Sequence, residues 1–304
     1  MIHVHDLIFY SVMIVLMIGV IVMGWVLYGK SFYNPFVYAI GNERKENYSE
    51  GLSDIVELPN PIDNKPMKWF DNEFTRKNFP GPGFSNEQKK NSLDYILRKR
   101  KGVLDTGAHI GDYGVSLAIA LKRMNVENIP VYCIDPSEDK CNFMRKVSIL
   151  NGLTDKEIKI ICCGISDKES KYFVNDTNIE IRGTNTGGWN WIPNEKGVRF
   201  TTLDHLWNMG VIGEIGFFWL DAQWMEPFIL KGGLKYLKHC KTYILMESDI
   251  FTRYYSDKTT PELFFPGTYE HLKTDEKFKD VFQKLKTKFI AHKPKFADIL
   301  FEIQ

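Results

Sequence analysis

The chain has 304 residues, of which 44% are hydrophobic and 25% charged, and its net charge is +1. That composition is normal for a globular protein, with length enough for one ordinary domain and additions. A charge this close to zero leaves no electrostatic footprint for nucleic acid, so no such partner is expected. The cysteines, Cys133, Cys141, Cys162, Cys163 and Cys240, are odd in number and lack zinc-ligand spacing. Buried free thiols are expected, with no metal, and nothing calls for an oxidising compartment.

In chain order the first element is apolar. Leu7 to Tyr28 carries no charged side chain and is dominated by Ile, Val, Leu, Met and Phe. As a helix this run would span about 33 Å, enough for a bilayer core. Tyr10, Trp25 and Tyr28 stand toward its ends, where interfacial aromatics belong. The run is too long for a signal peptide and no Lys or Arg precedes it, so residues 1–30 read as a retained single-pass membrane anchor. Lys30, Arg44 and Lys45 follow the span and put the remaining chain on the cytosolic side. Sequons at Asn47 and Asn175 would suit the lumenal side instead.

Residues 31–84 form a linking extension with turn signals at Pro59-Asn60-Pro61 and Pro80-Gly81-Pro82-Gly83. Its aromatics, Trp69, Phe70, Phe74, Phe79 and Phe84, are expected to pack onto the main domain. Ser85-Asn86-Glu87-Gln88 has a capping-box pattern and opens a helix to about Arg100. Next come a strand over 102–106, a helix over 112–124, a strand over 130–135, a helix over 137–150 capped by Ser137, and a strand over 158–163. Short strands are predicted over 172–174 and 198–201, and apolar strands over 215–221 and 243–247. The lysine-rich stretch 273–295 reads as a solvated helix face. Apolar strands without alternation, separated by helices, predict a doubly wound, mostly parallel, Rossmann-like α/β sheet within residues 85–304. In such sheets ligands bind at the carboxyl ends of the strands, near the reversal of strand order.

The informative stretch is Val103-Leu104-Asp105-Thr106-Gly107-Ala108-His109-Ile110-Gly111-Asp112-Tyr113. An apolar strand runs into two glycines four apart, and a helix follows. Gly107 would let the backbone turn tightly near a ligand. Gly111 would let the helix start close to it with its amides exposed. The paired glycines of a dinucleotide loop are missing, as is the Lys-Ser/Thr ending of a P-loop. Asp105 suits a cationic or hydroxyl-bearing group and would repel a pyrophosphate. The second strand ends at Asp135-Pro136-Ser137, and its carboxylate can accept hydrogen bonds from two ribose hydroxyls. The bland alternative is that Asp105 and Asp135 only cap turns.

These residues belong to an ordered series that continues through Leu150-Asn151-Gly152-Leu153, Gly164-Ile165-Ser166-Asp167-Lys168-Glu169 and Thr201-Thr202-Leu203-Asp204. It goes on with Leu220-Asp221, Glu226, Ile229-Leu230-Lys231-Gly232, Ile244-Leu245-Met246-Glu247 and Ala297-Asp298-Ile299-Leu300-Phe301. The series, spanning residues 101–303, resembles the FkbM-type methyltransferases, a branch of the class I S-adenosylmethionine-dependent fold. The resemblance implies S-adenosylmethionine as cofactor. It implies that Asp105, Gly107, Ala108 and Gly111 line the methionine and ribose part, and that Asp135 holds the ribose. Cys163 and Gly164 would lie near the adenine, and Asp221 would face the sulfonium or the acceptor. His109, Pro136 and Ser137 complete the cofactor-binding set.

One departure stands out. The family usually reads Asp-Val-Glu-Gly-x-Glu where this chain reads Asp221-Ala222-Gln223-Trp224-Met225-Glu226. Gln223 keeps hydrogen bonding but loses the charge and the capacity to act as a base. The acceptor side is therefore altered, and a catalytically impaired adenosylmethionine-binding module is the alternative to an active enzyme. For an active enzyme the candidate catalytic groups are Asp221, Glu247 and His109; His205 reads better as part of a helix cap. Trp189 and Trp191 stand in a Gly- and Asn-rich excursion where they could stack on a sugar. The resemblance favours an oxygen acceptor on a small molecule, a glycan or a lipid-linked compound.

Overall fold

A computed structural model of the chain describes residues 54–71, 86–175, 190–193, 198–222, 225–247, 276–293 and 298–304. An antiparallel hairpin comes first, β1 (Ile55–Pro59) and β2 (Pro66–Phe70). Helix α1 (Asn86–Lys99) precedes β3 (Gly102–Thr106), α2 (Gly114–Arg123), β4 (Val131–Asp135), α3 (Glu138–Leu150) and β5 (Ile158–Cys162). Four short strands follow: β6 (Gly164–Ile165), β7 (Ser170–Asn175), β8 (Asn190–Pro193) and β9 (Val198–Thr201). The rest comprises α4 (Leu203–Asn208), β10 (Ile215–Leu220), α5 (Glu226–Gly232), α6 (Leu234–Cys240), β11 (Tyr243–Glu247), α7 (Glu276–Leu285), β12 (Thr287–Lys293) and β13 (Asp298–Ile303).

Seven strands form the central sheet in the order β12-β13-β11-β10-β3-β4-β5. Strands β5, β4, β3, β10 and β11 are mutually parallel, whereas β13 runs antiparallel to both neighbours. The sheet is mostly parallel, as expected. The β3 and β4 side chains are buried throughout, because helices cover both faces. One face carries Val103, Val131, Cys133 and Ile160 against Ile96 of α1, Val115 of α2, and Cys141, Met144 and Val147 of α3. The other carries Leu104, Ile134, Ile161 and Phe218 against residues of α4, α5 and α6 and Val281, Phe282 and Leu285 of α7.

Several elements differ from expectation. The helix predicted from Asp112 starts at Gly114, because residues 109–113 form turns. The 273–295 stretch is not one solvated helix: α7 buries Val281, Phe282 and Leu285, and β12 follows. The pieces around 172 and 198 join β6 and β8 in a separate four-stranded sheet, order β6-β9-β7-β8. The β1–β2 hairpin packs on the helical layer. Its buried Trp69 and Phe70 meet Phe143 of α3. Asn151 clamps Lys68 through two hydrogen bonds, and Asn60 Nδ2 donates to the carbonyl of Ser116. Phe74, Phe79, Phe84 and Ser85 lie outside the described residues. So does the expected span Leu7–Tyr28; among the described residues no helix is long and apolar enough to cross a membrane.

Candidate active site

The chain leaves β3 for β4 and β5 on one side and later returns to β10 and β11 on the other. Strand order therefore reverses between β3 and β10, and the crevice at their carboxyl ends is where such sheets bind ligands. The two strand ends touch. Asp221 N donates to the Thr106 carbonyl, and a Cβ placed on Gly107 would lie 1.7 Å from the Asp221 carbonyl oxygen. Gly107 also has φ +74°, so glycine is required here twice over, for the close approach and for the left-handed turn.

The loop after β3 is tied to β4. The amides of Gly107 and Ala108 both donate to the Ile134 carbonyl, and His109 N donates to Asp135 Oδ2 at 3.0 Å. Asp135 Oδ1 accepts from Ser137 N at 2.8 Å, across Pro136. Asp105 Oδ2 accepts from Gly114 N at 3.0 Å and so serves the start of α2. The two acids thus do hold turns. Each carboxylate can accept about four hydrogen bonds, so these duties leave capacity for a ligand. Asp105 and Asp135 are only 2% and 3% exposed. Burial raises both carboxyls above their ordinary range, and for Asp105 the nearby Asp112 and Asp221 add to the effect.

The second glycine has a more local reason than an approaching ligand. Gly111 has φ +84°, and a Cβ there would strike Val115 and Met144. Its neighbour His109 also adopts positive φ, +52°. Burial, followed by the charge of Lys140, lowers the imidazole to about 4, so the ring is neutral at pH 7. Ala108 is buried in the α1–α3 face.

Cys163 and Gly164 follow β5. The Cys163 side chain is buried in the opposite, α4–α7 face, and Gly164 packs under the Phe200 ring, which a Cβ would strike. Either could meet an adenine only through the backbone. Asp221 directly follows β10 and is partly exposed. The pairing of Leu220 with Met246 places Asp221 and Glu247 level at adjacent strand ends. Glu226 is 1% exposed and its Oε1 accepts from Ala222 N at 2.9 Å, bracing the turn after β10. Gln223, Trp224 and Trp189 lie outside the described residues. His205 lies apart: its amide donates to the capping hydroxyl of Thr202, and its ring meets Glu169 at 3.6 Å.

Two residues of α1 reach this site and carried no expectation. Lys89 Nζ lies 2.5 Å from Asp112 Oδ2, with both side chains largely buried. Ser92 Oγ is 3.0 Å from the Tyr113 hydroxyl, and the Tyr113 ring stacks on Trp219 of β10 at 4.1 Å. Lys89 and Ser92 are three apart and share a helix face. That spacing is visible in the sequence, but their target, 23 residues away for Lys89, is not. Around Asp105 there are thus three carboxylates, Asp105, Asp112 and Asp221, and one ammonium, Lys89. Such a set suits a cation at the strand ends better than a pyrophosphate.

A family model described as the methyltransferase FkbM domain matches residues 105–288. The chain belongs to the FkbM methyltransferase family. The match takes in the loop after β3, the Asp135 turn and the Asp221 turn, and it begins after α1. The mostly parallel sheet with its reversed β13 is a class I methyltransferase-like fold. Among solved structures, similarity is found to an FkbM methyltransferase from Methylobacillus flagellatus KT, at 14% identity and TM-score 0.41. That match covers 67% of this chain and 44% of the other, so the chain spans less than half the length of that protein. The methyltransferase PaMTH1 of Podospora anserina, bound to SAH, matches at 13% identity and TM-score 0.42, covering 76% and 84% of the two chains. An O-methyltransferase from Bacillus cereus in complex with SAH matches at 12% identity and TM-score 0.39, covering 76% and 86%. Likeness at this level carries nothing about chemistry, and the assignment rests on the family match. Among curated proteins none matches the chain.

Proposed function

We propose that this FkbM-family chain transfers a methyl group from S-adenosylmethionine to an oxygen on a small molecule, a glycan or a lipid-linked compound. The observation that carries the reading is the cluster of carboxylates, Asp105, Asp112 and Asp221, at the β3–β10 reversal, with Asp135 at the next strand end. When bound, the cofactor supplies an activated methyl on a sulfonium. Asp105, Asp112 and Asp221 make the crevice favourable to the cations of that cofactor, and Lys89 keeps Asp112 in place. The unoccupied lone pairs of Asp135 accept from ribose hydroxyls.

Much of the catalysis would come from holding the acceptor in line with the methyl group. A base within reach of the acceptor hydroxyl would take its proton. Asp221 and Glu247, level at adjacent strand ends, are the preferred bases. His109, at about 4, is a weak one at neutral pH. Calorimetry on the full-length protein in detergent tests the cofactor: micromolar binding of S-adenosylmethionine is expected, and no binding would sink the reading. Transfer of labelled methyl into lipid, glycan or small-molecule fractions then names the acceptor.

Gln223 and Trp224 favour a second reading, a binding module of the same fold with impaired turnover. The double replacement Gln223→Glu with Trp224→Gly separates the two. Turnover that appears only in that variant supports the impaired module; wild-type turnover rules it out. Residues 7–28 would anchor either version in a membrane, with the domain on the cytosolic side that Lys30, Arg44 and Lys45 favour. Resistance of the native chain to alkaline extraction is expected, and glycosylation at Asn47 or Asn175 would reverse the assigned side.

A further inference from the structure

Two cysteines meet beside the proposed nucleoside end of the site. Cys141 stands in the first turn of α3, and its amide donates to the Ser137 carbonyl. Its Sγ points at the sheet, 3.3 Å from the Asp135 carbonyl oxygen and 4.0 Å from that of Ile161. Cys162 follows Ile161 directly and is the register partner of Asp135. Its side chain packs in the face that contains Cys141, whereas Cys163 turns to the other face. Because Cys141 Sγ reaches the carbonyl of Ile161, it stands beside Cys162, the next residue, on the face the two side chains share. Cys141 is buried and Cys162 is partly open to solvent. Arg145, one turn further along α3, brings its positive charge near both.

We propose that Cys141 and Cys162 form a thiol–disulfide exchange site for a small disulfide such as oxidised glutathione, which converts them into an internal disulfide at the edge of the cofactor site.

The chemistry divides between them. The neighbouring Cys141 thiol, and then the Arg145 charge, hold the Cys162 thiol below its ordinary range despite burial. The neighbouring Cys162 thiol, and then burial, push the Cys141 thiol up. The thiolate is the attacking species, and only Cys162 is both favoured as thiolate and reachable. The Cys162 thiolate attacks one sulfur of the oxidised glutathione. The old S–S bond breaks, one glutathione thiolate leaves and takes up the Cys162 proton, and a mixed disulfide remains on Cys162. Cys141 then attacks the Cys162 sulfur, and the second glutathione leaves with the Cys141 proton. The protein dithiol loses two hydrogens and two electrons, and one oxidised glutathione becomes two reduced ones. Cys133, Cys163 and Cys240 are buried, and burial raises each thiol, so they are expected to stay unmodified.

Closing the bond removes the Cys141 thiol from the Asp135 carbonyl and ties α3 to the end of β5. The turn Asp135-Pro136-Ser137 lies between those two points. On the proposed function, oxidation then weakens S-adenosylmethionine binding at least tenfold, and a reducing thiol restores it.

The test uses the full-length wild-type chain in detergent, treated with excess oxidised glutathione. Peptide mass spectrometry is expected to find Cys141 joined to Cys162 with loss of two hydrogen atoms. In Cys141→Ser the reaction is expected to stop with glutathione on Cys162. A wild type that yields no such link, or one that keeps glutathione on Cys162, overturns the proposal. The mass readout needs no cofactor. A reduced protein that fails to bind S-adenosylmethionine refutes the proposed function and leaves the link to be judged by mass alone. Equal binding by reduced and oxidised forms overturns the coupling to the site.

Discussion

The two sides of the strand-order reversal are built differently. On the β3–β4 side the polar backbone of the loop is committed: the amides of Gly107 and Ala108 go to Ile134, that of His109 to Asp135 and that of Gly114 to Asp105. On the β10–β11 side the strand ends place Asp221 and Glu247, and Glu226 braces the turn between β10 and α5. The first side is a preformed frame, in which buried carboxylates organise a loop before any ligand arrives. The second offers chemistry at strand ends, beside a sequence that departs from the family's at Gln223 and Trp224. A family can keep a frame of the first kind while altering acceptors through the second.

The contrast can be broken at its seam. Gly107→Ala should have the largest effect, because its Cβ meets the Asp221 carbonyl and the residue needs positive φ. A loss of about 3 kcal/mol or more is expected in denaturant unfolding, with cofactor binding abolished. A variant as stable as wild type would show that the two strand ends are not in contact.

Lys89→Met comes next. It strands Asp112 beside Asp105, and removing one partner of a largely buried ion pair costs about 3 kcal/mol. Thermal melting reads the loss, and Lys89→Arg should recover most of it. No change would make α1 a bystander to the site.

His109 sharpens the contrast through pH. Its folded value of about 4 lies below the unfolded 6.5, so its contribution is full above 6.5 and fades as pH falls toward 4. The contribution lost is at most about 3 kcal/mol. His109→Asn, which tolerates positive φ, should flatten that part of the stability curve. An unchanged slope would mean that the ring is not buried against Lys140.

Asp105→Asn should have the smallest effect on stability and a clear one on function. The wild-type carboxyl is raised in the fold, so its contribution is full below the unfolded 3.8 and is lost as pH rises through the folded value. The sign is opposite to that of His109, and the two variants separate them. Asn can still accept from Gly114 N, so the melting temperature at pH 7 should hold or rise. Cofactor affinity should fall at least tenfold, about 1.4 kcal/mol. Binding unchanged in Asp105→Asn would reduce Asp105 to a turn cap.

Strands β3, β4, β5, β10 and β11 were legible because buried parallel strands are short apolar runs stopped by Asp, Gly or Cys. The Ser137 cap was legible for a similar reason: a short-range rule fixes it, and its Oγ does accept from Lys140 N. The β1–β2 hairpin was not legible, because it is held by Asn151 and Asn60 reaching elements far along the chain. Strand β12 was hidden by its lysines, since the edge of a sheet accepts polar residues that a centre does not.

Family membership was thus written in the sequence alone, through motifs local enough for a single chain segment to carry. Tertiary structure decided why particular residues stand there. Gly107 answers to Asp221, Gly164 to Phe200, and Asp112 to a lysine on a helix that precedes the family's match. Each of these is a contact between segments that only the closed sheet brings within a few ångströms. Close packing and buried charge act at that range, and no pattern along one strand records them.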